Sequence, residues 1–338
     1  MSWEIIIPFL RPIEALLRDP EISDIMINGA TGVFIEKHGH LNAVPGVVLA
    51  EKSLQVAVRN IARALGDEIN EEKPLLDARL PDGSRVAAVF PPCAVNGTVL
   101  AIRKFHGRRY TAQELLRTGA LTQETLDVLR AAVNTRQNIL ISGGTGTGKT
   151  TLLNALAAFV EPHERIVLIE DTAEIQIEHA NLVRLEARRE QPDLPAVTIR
   201  DLLRTTLRLR PDRILLGEIR GGEAFDLLQA LNTGHSGTLS TIHANSAEQA
   251  LTRFTSCVLQ SGIDLPYAAI RYGIAQSLQL LVHLERRHER RLVTELMRVG
   301  RYDARSDSFD MQHVPGGAAG DDACQIHLAP TSKPVPRR

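Results

Sequence analysis

The chain has 338 residues, 43% of them hydrophobic, enough for more than one domain with a real core. A formal net charge of −1 and an aromatic content of only 4% speak against a protein whose main work is coating nucleic acid. Cys93, Cys257 and Cys324 lie far apart with no C-x-x-C pair, which argues against a structural zinc site and for a reduced, cytosolic setting; no apolar run approaches the roughly 18 residues that cross a bilayer.

Residues 3–17 are apolar but carry Glu4, Arg11 and Glu14, and they are expected not to be a secretion signal. Leu10, Ile13, Leu16 and Leu17 suit an amphipathic helix that packs on a core or interface rather than a membrane anchor. Alternation over 24–28 and 33–36 around Asn28-Gly29 predicts a hairpin. Leu54, Val58, Ile61 and Leu65 recur at helical spacing, and Gly66 closes that helix. Residues 78–80 and 85–90 flank Pro81-Asp82-Gly83, a second hairpin, and 97–104 read as a further strand. Residues 1–105 are therefore expected to form a small α+β domain with no catalytic motif of its own. A linker over 106–137 contains a helix at 123–133 capped by Thr122.

From 138 to 300 the pattern changes to short apolar runs at 138–142, 165–170, 213–218 and 237–241 with helical patterns between them, the signature of an α/β, doubly wound sheet. Thr198 and Asp201 resemble a capping box opening a helix over 199–208, and 225–231 reads as another helix ending near Gly234. Residues 280–284 and 292–299 are expected to pair as a late hairpin. The stretch 301–338 contains Gly316-Gly317, Gly320 and three prolines after Ala329, and it reads as a disordered tail.

Residues 139–151 read Ile-Leu-Ile-Ser-Gly-Gly-Thr-Gly-Thr-Gly-Lys-Thr-Thr. Gly143, Gly148, Lys149 and Thr150 fit G-x-x-x-x-G-K-[ST], the phosphate loop of nucleotide hydrolases. The candidate nucleotide-binding residues are thus Gly143, Gly144, Thr145, Gly146, Thr147, Gly148, Lys149, Thr150 and Thr151. Glycines let backbone N–H groups turn toward phosphate oxygens, Lys149 brings positive charge to the β/γ-phosphates, and the Thr150 hydroxyl ligates Mg2+. A strand before the loop and a helical pattern after it (Leu152, Leu153, Leu156, Phe159) set a positive helix N-terminus at the phosphates.

Two of the apolar runs end in carboxylates. Residues 214–218 end in Glu218, a Walker B arrangement that positions Mg2+ or water, and 166–169 lead into Glu170-Asp171. Two acids beside one phosphate loop suit water activation. In the stretch 233–245, hydroxyls and His243 at a strand end can sense a γ-phosphate. By residue type alone, His243 is more often a satisfied core residue.

Taken together these stretches resemble the type II/type IV secretion ATPases, or traffic ATPases. Four boxes match in order: the Walker A loop at 143–151, an acidic box at 169–174, the Walker B stretch at 216–220 and a histidine box at 238–245, the resemblance covering about 20–300. It implies a RecA-like P-loop NTPase domain preceded by the small α+β domain, with ATP and Mg2+ bound between the two. It also implies a homo-oligomeric ring, usually a hexamer, peripheral at the cytoplasmic face of the inner membrane. The partner would be an inner-membrane platform protein of a secretion or pilus machine. By position, Lys149 and Thr150 would hold phosphate and Mg2+, Glu170 would be the general base, Glu218 would hold Mg2+ or a water near it, and His243 would report the γ-phosphate. Arg85, Arg103, Arg210 and Arg220 are candidates for reaching the phosphates. The absence of a tetracysteine insert and the short N-terminal segment resemble the type IV secretion, conjugal-transfer and tight-adherence pilus branch. Two rival readings are a nucleic-acid translocase or helicase on the same core and a nucleotide-binding regulator that does not hydrolyse. The neutral charge and scarce aromatics weigh against the first, and the complete acid and phosphate set against the second.

Overall fold

The computed structural model describes residues 7–37, 40–105, 110–188, 190, 194–288 and 290–315. The N-terminal part is built on strands β1 (Ile22–Asn28), β2 (Gly32–Lys37), β3 (His40–Ala43), β4 (Leu75–Arg79), β5 (Arg85–Val89) and β6 (Val99–Arg103). They form one sheet in the order β3-β2-β1-β6-β5-β4, with every neighbouring pair antiparallel. Both expected hairpins are present. Alternation drives one face inward: Ile25, Ile27, Val86, Leu100 and Ile102 are buried, together with Leu54, Val58 and Ile61 of helix α2 (Glu51–Ala64). Leu10, Ile13 and Leu17 join the same core, although only Glu14–Arg18 (α1) is α-helical there and shorter 3-10 turns precede it. The edge strand β3 was not legible because all of its residues are exposed, so no alternation marks it.

A second sheet contains β7 (Ile139–Gly143), β8 (Ile166–Glu170), β9 (Leu182–Glu186), β10 (Arg213–Ile219), β11 (Leu239–His243), β12 (Leu280–Arg287), β13 (Arg290–Asp303) and β14 (Ser308–His313). The order is β14-β13-β12-β7-β11-β10-β8-β9. The run from β12 to β9 is parallel, and β13 and β14 add antiparallel at one edge. Helices α3 (Ala112–Arg117), α4 (Gln123–Asn134) and α5 (Lys149–Ala157) pack on one face against Ile139, Ile141 and Val282. Helices α6 (Ile199–Thr206), α7 (Glu223–Asn232), α8 (Ala247–Leu259) and α9 (Tyr267–Ser277) pack on the other against Leu140, Val167 and Leu216. This is the doubly wound arrangement, in which parallel strands covered on both faces read as continuous apolar runs. The predicted caps form: Thr198 Oγ1 accepts the Asp201 N–H at 3.2 Å while Asp201 accepts the Thr198 N–H at 2.9 Å, and Thr122 accepts from the Thr125 N–H at 3.1 Å.

One boundary moves. The expected disordered tail instead begins with ordered structure, because β13 runs on to Asp303 and β14 follows it. Tyr302 and Phe309 pack with ring centroids 5.4 Å apart and the Arg271 guanidinium sits 4.5 Å from the Phe309 ring, contacts that Ser- and Asp-rich neighbours concealed in the sequence. The remainder of that expectation, 316–338 with Cys324, lies outside the described residues, as do 106–109 of the linker and the first few residues of the N-terminal run. Among the described residues no helix is long and apolar enough to cross a membrane.

Candidate active site

Strand β7 delivers the chain into the phosphate loop, and α5 carries it away from Lys149 with Gly148 at the N-cap. Gly143 permits the entry. Its φ is +155°, and a Cβ there would stand 2.5 Å from the Leu284 carbonyl oxygen and 2.6 Å from Thr147 Oγ1, distances no side chain tolerates. Thr147 Oγ1 donates to the Gly144 carbonyl at 3.0 Å, which ties the loop to itself. Lys149 is buried, and its Nζ donates to the carbonyls of Gly143 at 3.0 Å and Gly144 at 2.8 Å. Burial pushes this ammonium below its ordinary pKa, Arg220 pushes the same way and Glu218 opposes them.

The acids come from neighbouring parallel strands. Glu170 is the last residue of β8 and Glu218 lies near the end of β10, its in-register neighbour. Glu170 is buried, and one carboxylate oxygen accepts the N–H groups of Glu174 and Ile175, both at 2.8 Å. Burial still dominates and pushes this carboxyl up to about 7, against the pull of those two N–H donors. Glu218 stands between two donors, with His243 Nε2 2.6 Å from Oε1 and Arg220 Nε donating to Oε2. Arg220 also reaches Asp171 at 3.1 Å. His243 ends β11, the strand inserted between β7 and β10, and Lys149 Nζ lies 3.5 Å from both of its ring nitrogens. Burial lowers the His243 pKa, with Lys149, Arg220 and Arg253 adding to the effect and Glu218 working against it. A neutral ring that donates Nε2–H to Glu218 satisfies this arrangement.

Facing these groups is a row of arginines on the first sheet. Arg79 pairs in register with Arg85, and Arg85 with Arg103, so the three guanidinium stems lie side by side on one sheet face. Like charges in that geometry repel. Each finds a carboxylate: Arg79 Nη1 bonds both oxygens of Glu186 at 2.6 and 2.7 Å, Arg85 Nη2 is 3.1 Å from Glu174, and Arg103 Nε is 2.9 Å from Asp24. Arg79 also donates from Nη2 to the Ala173 carbonyl at 2.7 Å. Two of these partners, Glu174 and Glu186, belong to the second half of the molecule, so the row ties the two sheets across a cleft of about 340 Å3. Arg85, Arg103, Thr145, Gly146, Lys149, Thr150, Glu170, Glu218, Arg220 and His243 all line that cleft.

A profile of the family described as type II/IV secretion system protein matches residues 10–318. The chain belongs to this family. Within it, the conjugal transfer protein TrbB of Rhizobium radiobacter is 35% identical over 301 residues, spanning 88% of this chain and 89% of that protein. The type IV secretion system protein PtlH of Bordetella pertussis is 37% identical over 303 residues, 82% of this chain and 89% of that one. Among solved structures, the VirB11 ATPase of the Brucella suis type IV secretion system aligns at 31% identity over 87% of this chain and 94% of that chain, with a TM-score of 0.48. The Legionella pneumophila ATPase DotB shares the fold, with a TM-score of 0.61 at 20% identity over 89% of this chain and 82% of that one.

For this type II/IV secretion family member, the four sequence boxes converge on one place, because β7, β8, β10 and β11 are parallel and end on the same side. Arg210 does not converge. It is exposed and precedes β10, at the opposite end of the sheet from the phosphate loop, so within this chain it cannot reach the cleft. Arg79 was missed. Its signal was the hairpin itself: Arg79 and Arg85 stand equally far from Asp82 at the centre of the turn, which puts them opposite each other.

Proposed function

We propose that this chain is a Mg2+-dependent ATPase, the motor subunit of a type IV secretion, conjugal-transfer or pilus-assembly machine. It works as a homo-oligomeric ring, a hexamer, against an inner-membrane platform protein at the cytoplasmic face. The observation that carries the reading is the convergence of a buried Lys149 with Glu170 and Glu218 on adjacent parallel strand ends, opposite the arginine row. ATP is the substrate, with its triphosphate in the loop and Lys149 exchanging its two carbonyl partners for phosphate oxygens. The Thr150 hydroxyl and the Glu218 carboxylate are hard oxygen donors of the kind Mg2+ takes, and the ion would neutralise charge on the phosphates. Glu170, with a pKa near 7, is poised to take a proton from the attacking water. His243 bridges Lys149 and Glu218 and so registers whether a γ-phosphate has drawn Lys149 away. Arg85 and Arg103 close on the phosphates from the first sheet, and loss of phosphate lets the sheets part.

The test is Mg2+-dependent phosphate release by the purified chain, read together with its oligomeric mass. Turnover that disappears in Lys149→Ala supports the reading. An assembled ring without turnover makes the chain a nucleotide-binding regulator, and strong, length-dependent stimulation by single-stranded DNA makes it a translocase.

A further inference from the structure

One cluster of ligating side chains lies outside the nucleotide cleft, one strand over from the phosphate loop. His283 on β12 stands in register with Ser142 on β7 and with Glu295 on β13. Glu285 follows two residues after His283 on the same strand. Register and the two-residue period set all three side chains on one sheet face, and one ligand atom from each lies within 4.8 Å of the others.

A hydrogen bond to Ser142 orients the His283 ring. Ser142 Oγ donates to the Val282 carbonyl at 3.3 Å and lies 2.9 Å from His283 Nδ1. With the hydroxyl proton on Val282, Oγ accepts from Nδ1–H and Nε2 keeps its lone pair, which is the tautomer that a cation at Nε2 would select. His283 is only 1% exposed, yet among the described residues no hydrogen bond reaches Nε2; the nearest acid oxygen, Glu285 Oε1, is 4.0 Å away. Burial lowers the pKa of this imidazole, with Lys149 adding to the effect and Glu295 and Glu285 opposing it. The outcome is an imidazole nitrogen with no protein hydrogen bond among the described residues and two carboxylates whose oxygens lie within 4.8 Å of it and of one another. The carboxylates are themselves anchored from outside: Glu285 Oε2 accepts from Arg287 Nε at 2.9 Å, and Glu295 Oε2 accepts the Ala247 N–H at 3.1 Å.

We propose that His283, Glu285 and Glu295 bind one divalent transition cation of the zinc class. Imidazole nitrogen with two carboxylate oxygens selects such an ion over Mg2+ or Ca2+, which prefer all-oxygen sets. Ser142 acts as the outer partner that fixes the ring's tautomer and orientation. On a tetrahedral ion with bonds of about 2.1 Å the ligand atoms stand roughly 3.4 Å apart, so the glutamates close inward by a change of rotamer. Glu295 also borders a surface cleft of about 530 Å3, and water would take the fourth position on the ion. The bound ion would tie β12 and β13 to the start of α8, directly beside the strand that feeds the phosphate loop.

Co2+ is the probe, because its visible absorption reports nitrogen and oxygen ligation in a low-coordinate site. It is added to the full chain without nucleotide, in a large excess of Mg2+. One Co2+ per chain is expected, with an absorption band and a rise in melting temperature. Both the band and the rise should vanish in Glu285→Gln, a partly exposed position that leaves the fold intact, and in His283→Gln, while Glu218→Gln keeps them. A wild-type chain that takes up no Co2+, or a band that survives both Glu285→Gln and His283→Gln, overturns the assignment. None of these readouts depends on ATP turnover, so a failed ATPase assay and a failed cation site are separate results.

Discussion

In the eight-stranded sheet every residue of β7 and β8 is buried, so those strands can present chemistry only where they end. In the six-stranded sheet β4, β5 and β6 alternate between buried and open positions, and Arg79, Arg85 and Arg103 stand on the open side. The two halves therefore hold their charges differently. Glu170 and Lys149 are fixed by backbone groups in a dry setting that shifts their pKa values. The arginines are held by half-exposed ion pairs, each of which is worth little by itself. The lesson is that one wall of the cleft is rigid and chemically tuned, while the other is adjustable and graded.

Substitutions should reproduce that contrast. The largest effect is expected for Lys149→Ala, roughly a thousandfold or greater loss of ATP turnover with an unchanged circular dichroism spectrum. Retained turnover would dissolve the distinction between the walls. Glu170→Gln should cost on the order of 10²–10⁴ in turnover, and it should also stabilise the fold in alkaline solution. Between the ordinary value of 4.5 and about 7 the folded chain keeps a proton that the unfolded chain has released, so stability falls as pH rises through that window. The burden, at most about 3 kcal/mol, is complete above the upper value and is removed by glutamine. A lower melting temperature for Glu170→Gln at alkaline pH would contradict this. As the proposed base, Glu170 would have to be ionised, so turnover should climb with pH and reach its midpoint near 7; a flat profile across neutrality would assign the proton to another group.

On the adjustable wall, Arg85→Ala should raise the KM for ATP by about tenfold, roughly 1.4 kcal/mol, with kcat changed by far less. Arg79→Ala should do somewhat less, and both effects should shrink at high salt. A kcat collapse as deep as that of Lys149→Ala would mean the arginines are as rigidly placed as the loop. The smallest effect belongs to Thr198→Ala, which removes a cap of α6 remote from the cleft: about 1 kcal/mol of stability, read by denaturant unfolding, with turnover untouched.

Legibility followed the same division. The phosphate loop and the strand-end acids could be read directly, because a run of apolar residues ending in Glu170 or in Gly217-Glu218 is local information. The pairing of His243 with Glu218 was not local, since it depends on β11 being inserted between β7 and β10. Arg79 needed the register of a hairpin, and the exclusion of Arg210 needed the direction of β10. The short strands β9 and β14 escaped because each lies at a sheet edge, where partial exposure dilutes the apolar pattern.

The contacts of Arg85 with Glu174 and of Arg79 with Glu186 bear on how a triphosphate would be released as well as captured. An incoming anion does not meet bare guanidinium groups; it displaces carboxylates that are already there, and those carboxylates stay tethered nearby. Departure of the anion is then met at once by the returning side chains. Such counter-ion exchange keeps the net grip shallow, which suits the proposed motor, where nucleotide would have to leave on every cycle.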